Sequence, residues 1–180
     1  MIPDYFAEEI TADNWKWFIF PWNKKEDFRN LILGCMGTSM TMEEIEVTYE
    51  ATHHGPYSEN PLVFVEIGSS DLEYGDKEIG YMMARAIYES YGEEAEIYCG
   101  IGGMHYSSKF TKMAINEGLA FGHIASKYRF ASLTPDSLNE MFQKSTGAQG
   151  FLIENKSFDS LQKNSLKKML DSKYLNYRFV

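Results

Sequence analysis

Five short strand-like runs, most of them followed by a stretch of helical spacing, constrain this chain more than any other feature. IEVTYE at 45–50 alternates and is rich in β-branched residues, whereas LVFVEI at 62–67 is nearly all apolar, the pattern of a strand buried on both faces. EIYCGI at 96–101, LAFGHIA at 119–125 and FLIE at 151–154, read as the last strand, repeat that character. A helix is expected from about Lys77, where Ile79, Met82, Met83, Ala86, Ile87 and Ser90 make one small-to-apolar stripe and the methionines pack in the core. A shorter helix is expected over 111–117. Another follows Thr134 and Pro135, which suit a cap and a first turn, and a last one is marked by Leu161, Leu166, Met169 and Leu170. Strand followed by helix, repeated, predicts an α/β fold: a three-layer sandwich around a mostly parallel sheet. In such sheets ligands sit beyond the C-terminal ends of the strands.

The 180 residues, 44% of them hydrophobic, suffice for a single α/β domain over 1–180 with a sizeable core. The start of the chain is harder to read. Trp15, Trp17, Phe18, Phe20 and Trp22, punctuated by Pro21, form either a strand or a wrapping segment, and Phe28, Leu31, Ile32 and Cys35 suggest a helix from about Lys24 to Cys35.

Composition removes several classes of function. No stretch approaches the roughly 20 apolar residues that span a bilayer, and MIPDYFAEEI lacks the basic and apolar regions of a signal peptide, so a soluble, cytoplasmic protein is expected. Cys35 and Cys99 form neither a CxxC pair nor a disulfide framework and read as buried thiols. With 26 acidic against 17 basic residues the net charge is −9, which disfavours broad nonspecific binding to nucleic acid or anionic membrane. The C-terminal quarter is locally basic, with Lys156, Lys163, Lys167, Lys168, Lys173 and Arg178. It forms either a solvated helix face and tail or a local contact for phosphates.

The chain has only four histidines, and three of them occupy or closely follow a turn after a strand. His53 and His54 lie in EATHHGP, His105 in GIGGMHY, and His123 inside the strand-like FGHIA. Imidazole there either ligates a metal such as zinc or moves a proton near neutral pH. The structural alternatives are a hydrogen-bonded pair in a tight turn for His53 and His54, a similar role for His105, and a satisfied buried ring for His123. Glu50 and Glu66 end neighbouring strands and are each candidates for ligand, general base or acceptor of a histidine N–H. Glu66 is the more telling, because a carboxylate in an apolar strand is costly to bury unpaired.

Gly100, Gly102 and Gly103 make either a plain tight turn or a nest of amides for a phosphate or an oxyanion. The spacing is not GxGxxG, and no P-loop or GxSxG elbow is present, so NAD, ATP and a serine nucleophile lack support. Gly68, Ser69 and Ser70 form a second small-residue loop, suited to a phosphate, a ribose or an amino group.

Taken together, EVTYEATHHGP at 46–56, FVEIGSSDLEY at 64–74, GIGGMHY at 100–106 and FGHI at 121–124 resemble the archaeal and plant type of D-aminoacyl-tRNA deacylase, also described as D-tyrosyl-tRNA deacylase. The resemblance covers roughly 45–170 and corresponds to the C-terminal part of the deacylase domain, in a form lacking most of the N-terminal half. It departs where Ser107, Ser108 and Lys109 stand for a segment with proline and arginine, and where Tyr74 stands for a tryptophan.

The resemblance implies a phosphorylase or peptidyl-tRNA hydrolase-like α/β fold and a zinc-dependent hydrolase. Its reaction frees a D-amino acid from the 3′-terminal ribose of tRNA. The family pattern falls on His53, His54, Glu66, Gly68, Ser69, Ser70, Gly102, Gly103, His105, Tyr106, Gly122 and His123. Zinc ligands are expected among His53, His54, His105 and His123, with Glu50 as a further candidate. His54, Glu66 and His105 are expected in catalysis, and Ser69, Ser70, Gly102, Gly103 and Tyr106 around the substrate, the Gly102 and Gly103 amides facing the oxyanion. The rivals are a phosphorylase-like or peptidyl-tRNA hydrolase-like enzyme, and a noncatalytic nucleotide or tRNA-binding domain. The partners expected are D-aminoacyl-tRNA and a homo-oligomer or other partner covering an incomplete sheet edge; no membrane is expected.

Overall fold

A computed structural model describes residues 18–21, 47–53, 62–67, 77, 79–81, 83–84 and 95–180. Strands β1 (Phe18–Pro21) and β2 (Leu62–Val65) pair antiparallel as a two-stranded sheet. The larger sheet holds β3 (Ile97–Ile101), β4 (Ala120–Ala125), β5 (Ala148–Ile153) and β6 (Tyr177–Phe179), all parallel, in the order β4-β3-β5-β6. Helices α1 (Ser108–Glu117), α2 (Pro135–Lys144) and α3 (Ser160–Asp171) make the three crossovers.

The strand order explains the layers. The step from β3 to β4 runs one way across the sheet, and the steps from β4 to β5 and from β5 to β6 run the other. Right-handed crossovers then put α1 on one face and α2 with α3 on the opposite face. The two cores agree with this. Phe110, Met113 and Ala114 of α1 pack with Phe121, Ile124 and Leu152, whereas Leu138 of α2 and Leu166 and Leu170 of α3 pack with Cys99, Ile101, Phe151 and Ile153. The alternation within β3, Cys99 and Ile101 to one side and Tyr98 to the other, follows from the two-residue strand period. The result is the three-layer α/β sandwich with a mostly parallel sheet. The direction of travel reverses at β3, and the turns after β3 and β5 stay in contact there, with the Gly103 N–H donating to the Ser157 hydroxyl at 2.7 Å.

Local signals hold where they were strong. Thr134 accepts from the Ser137 N–H at 3.1 Å and the Ser137 hydroxyl returns a bond to Thr134, with Pro135 in the first turn. Asp159 and Gln162 make the same reciprocal cap for α3. Helix α1 starts at Ser108, three residues before the expected start, and ends at Gly118 in the left-handed conformation.

Other expectations are corrected. The described part of 45–50 makes no strand ladder: Glu50 forms a single antiparallel bridge to Tyr106, because the chain beside it turns at once into α1. LVFVEI is a member of the antiparallel pair, and Phe64 to Ile67 are half-buried rather than enclosed on both faces. FLIE is not the last strand, since β6 continues the sheet along β5 with Phe151 opposite Tyr177. The opening aromatics contribute β1, which settles the strand reading for 18–21. Residues 77, 79–81 and 83–84 are helical, with Ile79 and Met83 half-buried. The Lys24–Cys35 helix and the Cys35 thiol lie outside the described residues. Cys99 is fully buried as expected, and burial pushes its thiol up to about 11. No helix among the described residues is long and apolar enough to cross a membrane.

Gly122 shows how closely α2 and β4 meet. A Cβ there would lie 2.5 Å from the Ser145 Cβ and 3.1 Å from its Cα, so the end of α2 would have to retreat. Gly122→Ala is therefore expected to cost about 1–3 kcal/mol, as overpacked sites do. Thermal melting checks this; a Tm equal to that of the wild type would show that the contact yields freely.

Candidate metal centre

Segment 47–53 lies across the C-terminal ends of β3 and β4. The Ser107 N–H donates to Tyr49 O at 2.8 Å and the Ala51 N–H to His105 O at 2.7 Å, which fastens the segment to the turn after β3. Thr52 fastens it to β4: its N–H donates to Ile124 O at 2.8 Å and its hydroxyl accepts from the Ile124 N–H at 3.1 Å. Below these bonds Tyr49 and Ala51 are buried in the α1-side core. The Thr111 hydroxyl accepts from the Tyr49 N–H at 2.9 Å. Alternation along an extended chain sends Glu50 away from that core. The bend at Thr52 brings His53 round to the same side.

His105 comes from the opposite direction. Gly102 and Gly103 have φ of 121° and 73°, values that favour glycine. A Cβ on Gly102 would also lie 2.8 Å from the Glu154 Cβ. The turn they make presents His105 to Glu50, with its Nε2 2.6 Å from Glu50 Oε1. His53 Nε2 is 3.9 Å from the same oxygen, and the two imidazoles meet edge to face with centroids 4.4 Å apart. One metal-binding atom from each of Glu50, His53 and His105 lies within 4.8 Å of the others.

This set fits a cation. A tetrahedral ion with ligands at about 2.0–2.2 Å needs its donors about 3.3–3.6 Å apart, so the Glu50–His105 pair opens from 2.6 Å and the Glu50–His53 pair closes from 3.9 Å. The His53 Nδ1–H donates to Ala51 O at 2.7 Å, which in the neutral ring leaves Nε2 as the atom with a lone pair. Glu66 supplies an independent sign. Its Oε2 is buried without a hydrogen-bond partner. Burial, then a hydrogen bond and charge repulsion from Glu50, push its carboxyl up to about 7. A positive charge between the two carboxylates would relieve that repulsion.

The raised carboxyl has a consequence for stability. Folded protein keeps the Glu66 proton between about pH 4.5 and 7, where the unfolded chain has released it, so the stabilisation is present below that window and lost as pH rises through it. In chelator-treated protein the Tm is expected to fall over this window more steeply for the wild type than for Glu66→Gln. Parallel melting curves for the two would contradict the assignment.

The other expected site residues separate into groups. His123 is not part of the trio: its Nδ1 is 3.2 Å from the Thr52 hydroxyl oxygen, and burial lowers its pKa, with smaller effects from Glu140 and Lys144. Tyr106 is exposed, its ring edge to face with His105 at 5.1 Å. The Gly102 and Gly103 amides do not face an oxyanion. The first donates to Ala125 O at 2.8 Å and the second to the Ser157 hydroxyl at 2.7 Å, so the nest reading gives way to a structural turn. His54, Gly68, Ser69 and Ser70 lie outside the described residues.

Sequence reading missed Thr52, which carries no charge or metal-binding atom to mark it. It also missed the pair of Glu154 and Ser157, in which the Ser157 hydroxyl donates to Glu154 Oε2 beside the glycine turn. The C-terminal basic residues are dispersed. Lys173 pairs with Asp136 at 2.7 Å, Lys167 lies over the Phe179 ring, and Arg178 lies over that of Tyr98.

Fold and site together define a parallel α/β protein with a candidate centre of two imidazoles and a carboxylate at its strand ends. The family model for D-aminoacyl-tRNA deacylase matches residues 27–178, and the chain belongs to that family. A D-aminoacyl-tRNA deacylase of Ignicoccus hospitalis is 40% identical over 121 residues, covering 66% of this chain and 49% of that protein. One from Methanothrix thermoacetophila is 37% identical over 133 residues, covering 71% of this chain and 49% of that protein. The chain thus spans about half the length of these curated relatives. A crystal structure of a conserved protein of unknown function superposes with a TM-score of 0.76 at 26% identity, covering 86% of this chain and 56% of the other.

Proposed function

We propose that this chain hydrolyses the ester joining a D-amino acid to the 3′-terminal ribose of tRNA, with a zinc ion at Glu50, His53 and His105. The observation that carries this reading is the convergence of those three side chains at the strand ends of a chain of the deacylase family. Such an ion, when bound, supplies Lewis acidity toward a carbonyl oxygen and toward water.

The chain's own groups account for orientation and proton transfer. The bond from His53 Nδ1 to Ala51 O holds that ring with Nε2 toward Glu50. Glu66, next to Glu50 and with its Oε2 buried without a hydrogen-bond partner, is suited to take the proton of the attacking water and deliver it to the departing ribose oxygen. The bond formed joins the water oxygen to the carbonyl carbon, the bond broken joins that carbon to the ribose oxygen, and no redox partner is needed. His54, beside His53 in sequence, and His105 share the catalytic assignment. Ser69 and Ser70 are assigned to the wall that reads the chirality of the amino acid, and Gly102, Gly103 and Tyr106 to the rim. The role assigned is release of mischarged tRNA in the cytoplasm.

A deacylation assay on D-tyrosyl-tRNA and L-tyrosyl-tRNA, with zinc and with chelator, tests this reading. Release of the D-amino acid, its loss on chelation and its return on adding zinc are expected. Zinc-loaded protein that leaves D-tyrosyl-tRNA intact, or hydrolysis that chelation leaves untouched, would overturn it.

A further inference from the structure

The 3₁₀ turn Lys127–Ser132 after β4 carries an arrangement that neither the fold nor the metal centre requires. Tyr128 is 64% exposed, Arg129 is exposed beside it, and Lys127 Nζ stands 5.3 Å from the centre of the Tyr128 ring. The turn is tied to the candidate centre: the Lys127 N–H donates to Gly103 O at 2.9 Å, two residues before His105. Met104 and Tyr106, 57% and 58% exposed, stand on the same rim.

Along the sequence the two stretches of this rim are basic, with the carboxylates of Glu50 and Glu154 beside the glycine turn. Residues 102–109 and 126–134 contain Lys109, Lys127 and Arg129 and no aspartate or glutamate, in a chain with 26 acidic and 17 basic residues. An exposed ring flanked by cations suits an unpaired base with its phosphates. The ring offers a stacking face to any base, and the cations meet the backbone. A base inside a duplex has both faces covered by its neighbours, so this recognition favours a single-stranded end.

We infer that the Lys127–Ser132 turn seats the unpaired 3′ end of an RNA, with a base stacked on Tyr128 and phosphates at Lys127 and Arg129. This inference rests on the reading of the substrate as a tRNA ester. A terminal ribose delivered to Glu50 and His105 places the nucleotides that precede it along this rim.

The test uses the full chain and two fluorescent RNA stem-loops, one blunt and one with a four-nucleotide unpaired 3′ extension, followed by anisotropy across a salt series. The wild type is expected to bind the extended RNA at least tenfold more tightly than the blunt one. Tyr128→Ala is expected to remove most of that preference, Tyr128→Trp to retain it, and Arg129→Ala to flatten the salt dependence. A preference that persists undiminished in Tyr128→Ala, or equal binding of both RNAs by the wild type, would overturn the proposal.

The probes carry no ester, so the outcome is independent of hydrolysis. Binding that depends on Tyr128 without deacylation would remove the enzymatic reading and leave this one standing. Deacylation by a protein indifferent to the extension would do the reverse.

Discussion

Glu50→Ala is expected to lower turnover of D-tyrosyl-tRNA by about 10³-fold, within the range associated with losing a proton-handling or ligating group, and to abolish stoichiometric zinc binding. Glu50 is the one residue that touches every other part of the centre. Its Oε1 lies 2.6 Å from His105 and 3.9 Å from His53, and its carboxyl raises that of Glu66. Removing it leaves two imidazoles with no anionic partner between them. It also removes the carboxylate beside Glu66, leaving burial as the cause that holds the Glu66 carboxyl up. Metal content by mass spectrometry and kcat/KM read the two effects separately. A variant that keeps a full complement of zinc and turnover within threefold of the wild type would remove Glu50 from the centre.

Phe121→Ala is expected to destabilise the fold by about 3–5 kcal/mol, the usual cost of deleting a fully buried aromatic ring. Set against a total of about 5–15 kcal/mol for an ordinary domain, that brings the protein close to unfolding at physiological temperature. Phe121 has no exposed surface, and its ring meets Phe110 of α1 at 4.8 Å and Tyr49 at 5.7 Å. Its backbone N–H also reaches the Tyr49 hydroxyl at 3.4 Å. The loss therefore loosens both α1 and the buried ring that anchors segment 47–53. Denaturant melts measure the stability, and zinc affinity is expected to fall alongside it. Unchanged stability would mean that the α1-side core closes over the gap at little cost.

What the chain disclosed in advance follows from how local each signal is. The Thr134 cap acts within one helical turn, and α2 and α3 follow their apolar spacing. β6 escaped notice because YRF, following Lys173, reads as a basic tail; only its position along β5 makes it a strand. The candidate centre was legible in part. His53 and His105 stand out as rare imidazoles at turns, and Glu50 was an outside candidate that the bridge to Tyr106 brings to the middle. His123 carried the same chemical signal, yet its ring faces Thr52, and no pattern along the chain foretells such a pairing across 71 residues. The glycine amides misled for a related reason. A turn rich in N–H groups looks like an anion cradle until the acceptors, here Ala125 O and the Ser157 hydroxyl, are known.

Segment 47–53 and the turn after β3 meet at the sheet's rim, so Glu50, His53 and His105 link two stretches far apart along the chain. An ion held there would be a fastener as well as a reagent: a tie across about 50 residues, like a covalent cross-link of that span, is worth roughly 4 kcal/mol through the freedom it removes from the unfolded chain. Metal supply would then set how much folded protein a cell retains, and starvation for the ion would be read first as loss of the molecule and only afterwards as loss of its chemistry.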